Sequence, residues 1–331
     1  MITAYVKSPS GLNAVRLDRI PDLPPDTVWL DLLQPSRSEE LIVESFLGVE
    51  VPTSQEIVEI EDSSRFYQRN GTIYVTASLL TRLEDGLPAA TDARFIVTPT
   101  KIISVRYVDS RPFKLLTTRL SRSGQERWSS EFLLETILEL IVDDLADILE
   151  ATALDLDRLS HRVFFSTPPT EGTDNRRTKV EVDLKETITE IGRYGELVSE
   201  ARLSVFSTNR LLIFLSQCEN GSWQPEVKLR FQTLMRDVRS LTEHATFLAN
   251  RVNFLLEGTL GLTNIEQNKI IKIFSVAAVA LMPPTLIASI YGMNFKFMPE
   301  LTWSFGYPLA ITMMIASETL PFLYFRRKGW L

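Results

Sequence analysis

The chain is poor in the residues that most often carry chemistry. Among 331 residues it has one cysteine, Cys218, and two histidines, His161 and His244. A lone cysteine excludes a disulfide within the chain and a cysteine-built zinc site, and two histidines leave little for a histidine-built metal site. There is no glycine-rich phosphate loop, no Gly-x-Ser-x-Gly elbow and no histidine-based catalytic pair. Asp31 and the acids Glu59, Glu61 and Asp62 read as caps and solvated surface rather than catalytic carboxylates. Enzyme function therefore has almost no support, and no cofactor is implied. The net charge of −7 argues against a nucleic-acid partner and suits a protein that meets cations. The opening Met1-Ile2-Thr3-Ala4-Tyr5-Val6 reads as a strand, without the basic start and cleavage site of a signal peptide.

Charge itself is missing from one long stretch. Ile273 to Phe295 holds 23 uncharged residues, roughly 35 Å as a helix, against a bilayer core of about 30 Å. A second apolar segment follows, whose only charge between Glu300 and Arg326 is Glu318. Two spans with a short connector make a helical hairpin, so membrane lipid is an expected partner. Lys269 and Lys272 precede the first span and Arg326-Arg327-Lys328 follows the second, while the connector carries only Lys296 and Glu300. The positive-inside rule then places both termini in the cytoplasm of a multi-pass protein of the cell inner membrane. Trp303, Tyr307, Tyr324 and Trp330 sit where interfacial aromatics are expected.

Ahead of the spans, residues 1–125 read as a cytosolic α/β domain. Short β-rich runs occupy Ile2 to Lys7, Val28 to Leu32, Thr72 to Leu79, Phe95 to Val97 and Ile102 to Tyr107. Thr98-Pro99-Thr100-Lys101 joins the last two as a hairpin. Capping boxes at Ser36/Glu39 and Thr53/Glu56 start helices between strands. Residues 126–222 form an acidic helical hairpin with a loop from Phe165 to Asn175, the second helix running from about Arg176 to Gln217. Its first helix carries Glu131, Glu135, Glu139, Asp143, Asp144, Asp147, Glu150, Asp155 and Asp157 against Arg158. Such a face is either solvated or a place where carboxylate oxygens hold a divalent cation. Residues 223–272 read as a stalk: Phe231, Leu234, Val238, Leu241, Ala245, Leu248, Val252 and Leu255 recur in steps of three and four, a helix-packing seam. Unbroken from 226 to 291, this helix would be roughly 100 Å long, with Gly258 and Gly261 as weak points. The fold class is thus an α+β cytosolic domain, a long α-helical stalk and two transmembrane helices at 273–293 and 304–325. They are joined by a periplasmic loop at 294–303 and followed by a basic tail at 326–331.

Within the first span a second stripe has the same spacing. Asn268, Ile271, Ser275, Ala278, Met282, Thr285, Ser289 and Gly292 are mostly small or polar, beside bulky Ile273, Val276, Leu281, Leu286 and Ile290. Small and hydroxylated residues mark either tight helix packing or a pore face, on which Ile271, Phe274 and Met282 would form apolar constrictions. Pro283-Pro284 would permit bending. One helix cannot enclose a channel, so a pore face requires several copies around an axis.

These residues closely resemble the CorA family of magnesium channels and transporters. The resemblance is carried by Asn264-Ile265-Glu266-Gln267-Asn268-Lys269, Met282-Pro283-Pro284-Thr285, Tyr291-Gly292-Met293-Asn294-Phe295, Met298-Pro299-Glu300-Leu301, Trp303 to Pro308 and Tyr324 to Lys328. It implies a homopentamer with a funnel-shaped cytosolic assembly that imports Mg2+, with Co2+ and Ni2+ as further substrates. It implies that Gly292, Met293 and Asn294 form the selective mouth, that Asn268 rings the cytosolic end, and that Phe274, Met282, Thr285 and Ser289 line the path between. Cytosolic Mg2+ would then also act as regulatory ligand at subunit interfaces, with Asp237, Glu135, Glu139 and Asp143 as candidate ligands. Lys296 departs from the family pattern, and adjacent Glu300 would compensate. Glu318 within the second span is protonated, faces a neighbouring subunit or reaches water at the inner interface. Two competing readings are a zinc-transporting relative and a membrane-anchored sensor or scaffold whose hairpin only tethers it.

Overall fold

The computed structural model describes residues 1–8, 11–17, 22–51, 65–82, 88–122, 128–165, 184–218, 223–294, 298–299 and 303–328. The chain divides into two compact units, Met1–Leu256 and Glu257–Leu331.

Among its described residues the first unit has a sheet of seven strands: β1 Ile2–Ser8, β2 Gly11–Leu17, β3 Thr27–Leu33, β4 Phe66–Arg69, β5 Thr72–Arg82, β6 Pro88–Val97 and β7 Ile102–Arg106. Their order is β2-β1-β3-β7-β6-β5-β4. Every pairing is antiparallel except β3 with β7, which runs parallel with Trp29 opposite Ile102 and Leu33 opposite Arg106. The β6–β7 turn closes as the sequence predicts, the Thr98 N–H donating to the Lys101 carbonyl at 2.9 Å.

Period-two alternation sends the strands' side chains to opposite sides. On one side Ile2, Ala4, Leu30, Leu32, Ile103 and Val105 form a core with Val43 of helix α1, Arg37–Leu47. That helix starts at the Ser36/Glu39 capping box and stops at Gly48, whose φ of 65° places it in the left-handed region. On the other side Trp29 and Phe95 meet Phe113 at ring-centroid distances of 6.2 and 6.1 Å. Phe113 belongs to α2, Arg111–Arg122, which packs on α3, Ser130–Phe164, and α3 on α4, Leu184–Gln217.

This second side also buries a polar chain. The Trp29 indole N–H donates to the Ser104 hydroxyl at 2.8 Å, and Ser104 donates to Asp31 at 2.7 Å. Arg106 donates to the other Asp31 oxygen at 2.8 Å and lays its guanidinium 4.3 Å from the Phe113 ring centre. Tyr5, stacked on Trp29, has its phenol pushed up to about 12, chiefly by burial and then by Asp31. Asp31 is therefore a fully engaged structural acid.

Helix α5, Pro225–Tyr291, begins in the first unit and ends in the second. Its seam is buried in the first unit: Phe231, Val238, Ala245, Leu248 and Leu255 are all at or below 1% exposed. The helix continues through Gly258, Gly261 and Pro283-Pro284. In the second unit it is followed by α6, Gly306–Arg327, and both helices are long and apolar enough to cross a membrane.

The structure adds two strands that the sequence reading lacks. β2 and β4 are the outermost strands of the sheet. The middle of β2 is exposed and β4 has four residues, so neither shows the alternation of a half-buried strand. The predicted second helix of the hairpin begins, among described residues, at Leu184. Thr53/Glu56, Glu59, Glu61, Asp62 and the loop from 166 to 175 lie outside the described residues.

Candidate functional site

The part of α5 in the second unit has one side covered and the other open. Val276 is buried, and Ala280, Pro283, Pro284, Ile287 and Tyr291 are half-buried, recurring every three or four residues. At about 100° per residue, the stripe from Ile271 through Ala278, Met282 and Thr285 to Ser289 lies on the opposite side of the helix. All of these residues are exposed, as are Asn268, Ser275 and Gly292. Phe274 and Met282 are each 72% exposed, the bulkiest projections from this side. The Thr285 hydroxyl donates to the Leu281 carbonyl at 2.7 Å and Ser289 to the Thr285 carbonyl at 2.8 Å. Each hydroxyl proton is thus held by the helix, and the oxygen lone pairs remain available to accept from water.

The helix ends where the Gly-Met-Asn triplet begins. The Gly292 N–H donates to the Ala288 carbonyl at 3.0 Å and the Met293 N–H to the Ile290 carbonyl at 3.2 Å. A side-chain carbon at Gly292 would sit 3.2 Å from the Ala288 carbonyl oxygen, so only glycine closes this turn without a shift. Met293 and Asn294 are exposed beyond it. Lys296 and Glu300 lie outside the described residues.

The acidic run of α3 is largely occupied by arginines. Glu135 is 2% exposed and pairs with Arg230 of α5 at 3.3 Å. Burial raises its pKa, against the opposing pull of Arg230. Glu139 pairs with Arg119 at 3.0 Å, and Asp144 and Asp147 share Arg111 at 3.0 and 2.8 Å. Arg251 holds Asp157. Asp143 and Asp237, by contrast, make no ion pair among the described residues. Partial burial and the charges of Glu139, Asp147 and Asp237 raise the Asp143 carboxyl above its ordinary range, with Arg119 opposing. The structure thus brings Asp143, Glu139 and Asp237 into one electrostatic neighbourhood and commits Glu135 to an arginine. Nothing in the sequence singles out Arg111, Arg119 and Arg230, because their partners lie across helix interfaces that no local spacing encodes.

A family model described as CorA-like Mg2+ transporter protein matches residues 25–327. The chain is a member of the CorA family. The magnesium transport protein CorA of Salmonella typhimurium is 32% identical over 334 residues, covering 100% of both chains. CorA of Haemophilus influenzae is 35% identical over 337 residues, again covering 100% of both. The complete CorA magnesium transporter of Methanocaldococcus jannaschii has the same fold, with a TM-score of 0.76 and 20% identity over 100% of this chain and 99% of that one. CorA proteins are membrane transporters rather than enzymes, and Mg2+ is the substrate they carry, with no cofactor.

Proposed function

We propose that the chain assembles as a homopentamer in the cell inner membrane, with both termini cytoplasmic, and conducts Mg2+ inward along an axis lined by the open side of α5. The supporting observation is the division of that helix: an apolar side covered within its own unit, and an opposite exposed side of small, hydroxylated and amide residues ending at Gly292-Met293-Asn294. Left against lipid, that open side would forgo the polar contacts its hydroxyls and amides can make; around an axis it meets water and its own copies.

The chemistry of Mg2+ suits such a path. The ion gives up its waters reluctantly. A ring of Asn294 amides with Gly292 carbonyls grips the hydrated ion through its waters without binding it tightly enough to stop passage. Thr285 and Ser289 offer acceptor oxygens along the path. Ile271, Phe274 and Met282 supply apolar constrictions, Ala278 a wider point, and Asn268 a polar ring at the cytosolic end. Glu300 adds negative charge near the mouth. Two charges moving down 100 mV release about 4.6 kcal/mol, so the potential drives entry without ATP. Co2+ and Ni2+, divalent ions that also bind oxygen ligands, are the further substrates.

Regulation by cytosolic Mg2+ falls to the carboxylates that arginines leave free. Among the described residues no three acids of one copy stand together to hold an ion, so Asp143, raised by partial burial and by the charges of Glu139 and Asp237, needs carboxylate oxygens from a neighbouring copy to complete a site for a hard cation. An ion bound there from a neighbouring subunit's surface holds the closed arrangement, and its loss releases it.

The test is Mg2+ uptake by proteoliposomes under an inside-negative potential. Wild type takes up Mg2+, and Asn294→Ala loses most of the uptake while keeping its assembly. A membrane tether would show no uptake in either, and equal uptake in both removes Asn294 from the mouth.

A further inference from the structure

Glu318 is an acid that the transport path does not use. It lies in α6, 12 residues after Gly306 and 9 before Arg327, or about 18 and 13 Å from the two ends. In a hydrocarbon core of about 30 Å that is close to the middle, beyond the reach of a glutamate side chain to either surface. The side of α6 covered within its own unit runs through Gly306, Ala310, Ser317 and Pro321, and Glu318 stands at its edge, exposed. An acid in this position facing lipid is costly, and such residues pair with each other or with backbone carbonyls.

Matching acceptors lie at the same depth. Proline has no N–H, so Pro283 and Pro284 deprive the carbonyls of Val279 and Ala280 of their helical donors. Within a membrane those oxygens need another partner. The nearby hydroxyls are engaged elsewhere: Thr285 bonds Leu281 and Ser289 bonds Thr285. Among the described residues no side chain donates to Val279 or Ala280. Ala280 is on the covered side of α5, whereas Val279 is 42% exposed. Val279 follows Lys272 by 7 residues and Glu318 precedes Arg326 by 8, so the acid and the orphaned carbonyl lie within one helical turn of each other, measured from the same membrane face.

We propose that Glu318 of one copy donates its carboxyl proton in a hydrogen bond to the Val279 carbonyl of an adjacent copy, joining α6 of one subunit to the proline-bearing turn of α5 in the next. A carboxylate only accepts, so the acid form alone complements a carbonyl. This rests on the oligomeric reading above. The bond would hold the bend-prone turn of the conducting helix from the neighbouring subunit.

The test uses the full-length chain carrying Cys218→Ser, as two differently tagged versions co-expressed in one membrane. One version carries Glu318→Cys and the other Val279→Cys, and a short bis-thiol reagent joins what is adjacent. The expected product is a linked pair bearing both tags. An assembly that takes up Mg2+ but yields no such pair overturns this inference alone, whereas a monomer without uptake overturns the oligomeric reading as well. In addition, Glu318→Gln, which keeps an N–H donor, preserves the temperature at which the assembly dissociates, and Glu318→Leu lowers it. A leucine variant as stable as the glutamine variant places Glu318 against lipid and refutes the contact.

Discussion

Replacing Asp31 with alanine removes one partner of a buried pair and strands the other. Arg106 is 7% exposed and Asp31 4% exposed at their side chains, with an oxygen–nitrogen separation of 2.8 Å. The same carboxylate accepts from Ser104, which in turn accepts from Trp29. Deleting one member of a buried ion pair costs about 3–5 kcal/mol, mostly because the remaining charge stays buried. Asp109 still holds Arg106 at 3.1 Å but is itself half exposed, which places Asp31→Ala at the lower end, about 3 kcal/mol. Against a typical domain stability of 5–15 kcal/mol that is a large fraction. Urea unfolding of the full-length protein in detergent, followed by tryptophan fluorescence, reads the change, since Trp29, Trp128 and Trp223 all lie in the first unit. Replacing both partners, as Asp31→Leu with Arg106→Met, should recover most of the loss, since no charge is left without a partner. A single variant within about 1 kcal/mol of wild type, or a double variant worse than the single, refutes the argument from buried charge.

Two further outcomes follow from the first unit. Asp143 holds its proton more firmly in the folded chain than its ordinary value, so its contribution is complete below about pH 4 and is lost as pH rises through the raised folded value. Urea midpoints measured without Mg2+ across pH 4 to about pH 7 should therefore fall less steeply for Asp143→Asn than for wild type; an unchanged slope contradicts the assignment. Leu248 is fully buried in the α5 seam, and Leu248→Ala should lower stability by about 2–5 kcal/mol in the same assay, whereas a cost below about 1 kcal/mol would mean the seam is not packed.

The sequence reveals most where one local rule acts alone. An uncharged run long enough to cross a bilayer needs no tertiary knowledge, and neither does the three-and-four spacing from Phe231 to Leu255, whose residues are buried except for half-buried Leu241. The Ser36/Glu39 box and the Thr98–Lys101 turn are decided within four residues and fold as read. What stays hidden is whatever depends on a distant partner. β2 and β4 are strands because a neighbouring strand pairs with them, not because their own side chains alternate. Glu135 and Asp143 look alike in the acidic run, yet one is buried against Arg230 and the other is crowded by acids. The stripe from Asn268 to Gly292 reads equally as helix packing or as a conducting face. Its position opposite the covered side of α5 is what favours conduction.

That position is tested most directly by placing single cysteines along the first span in a Cys218→Ser background and measuring Mg2+ uptake before and after a charged, membrane-impermeant thiol reagent. Cysteines at Ser275, Ala278, Thr285 and Ser289 should react and block uptake, while those at Val276, Ala280 and Ile287 should not. Equal reaction on both sides, or block confined to the covered side, would contradict a water-filled path along the open side of this helix.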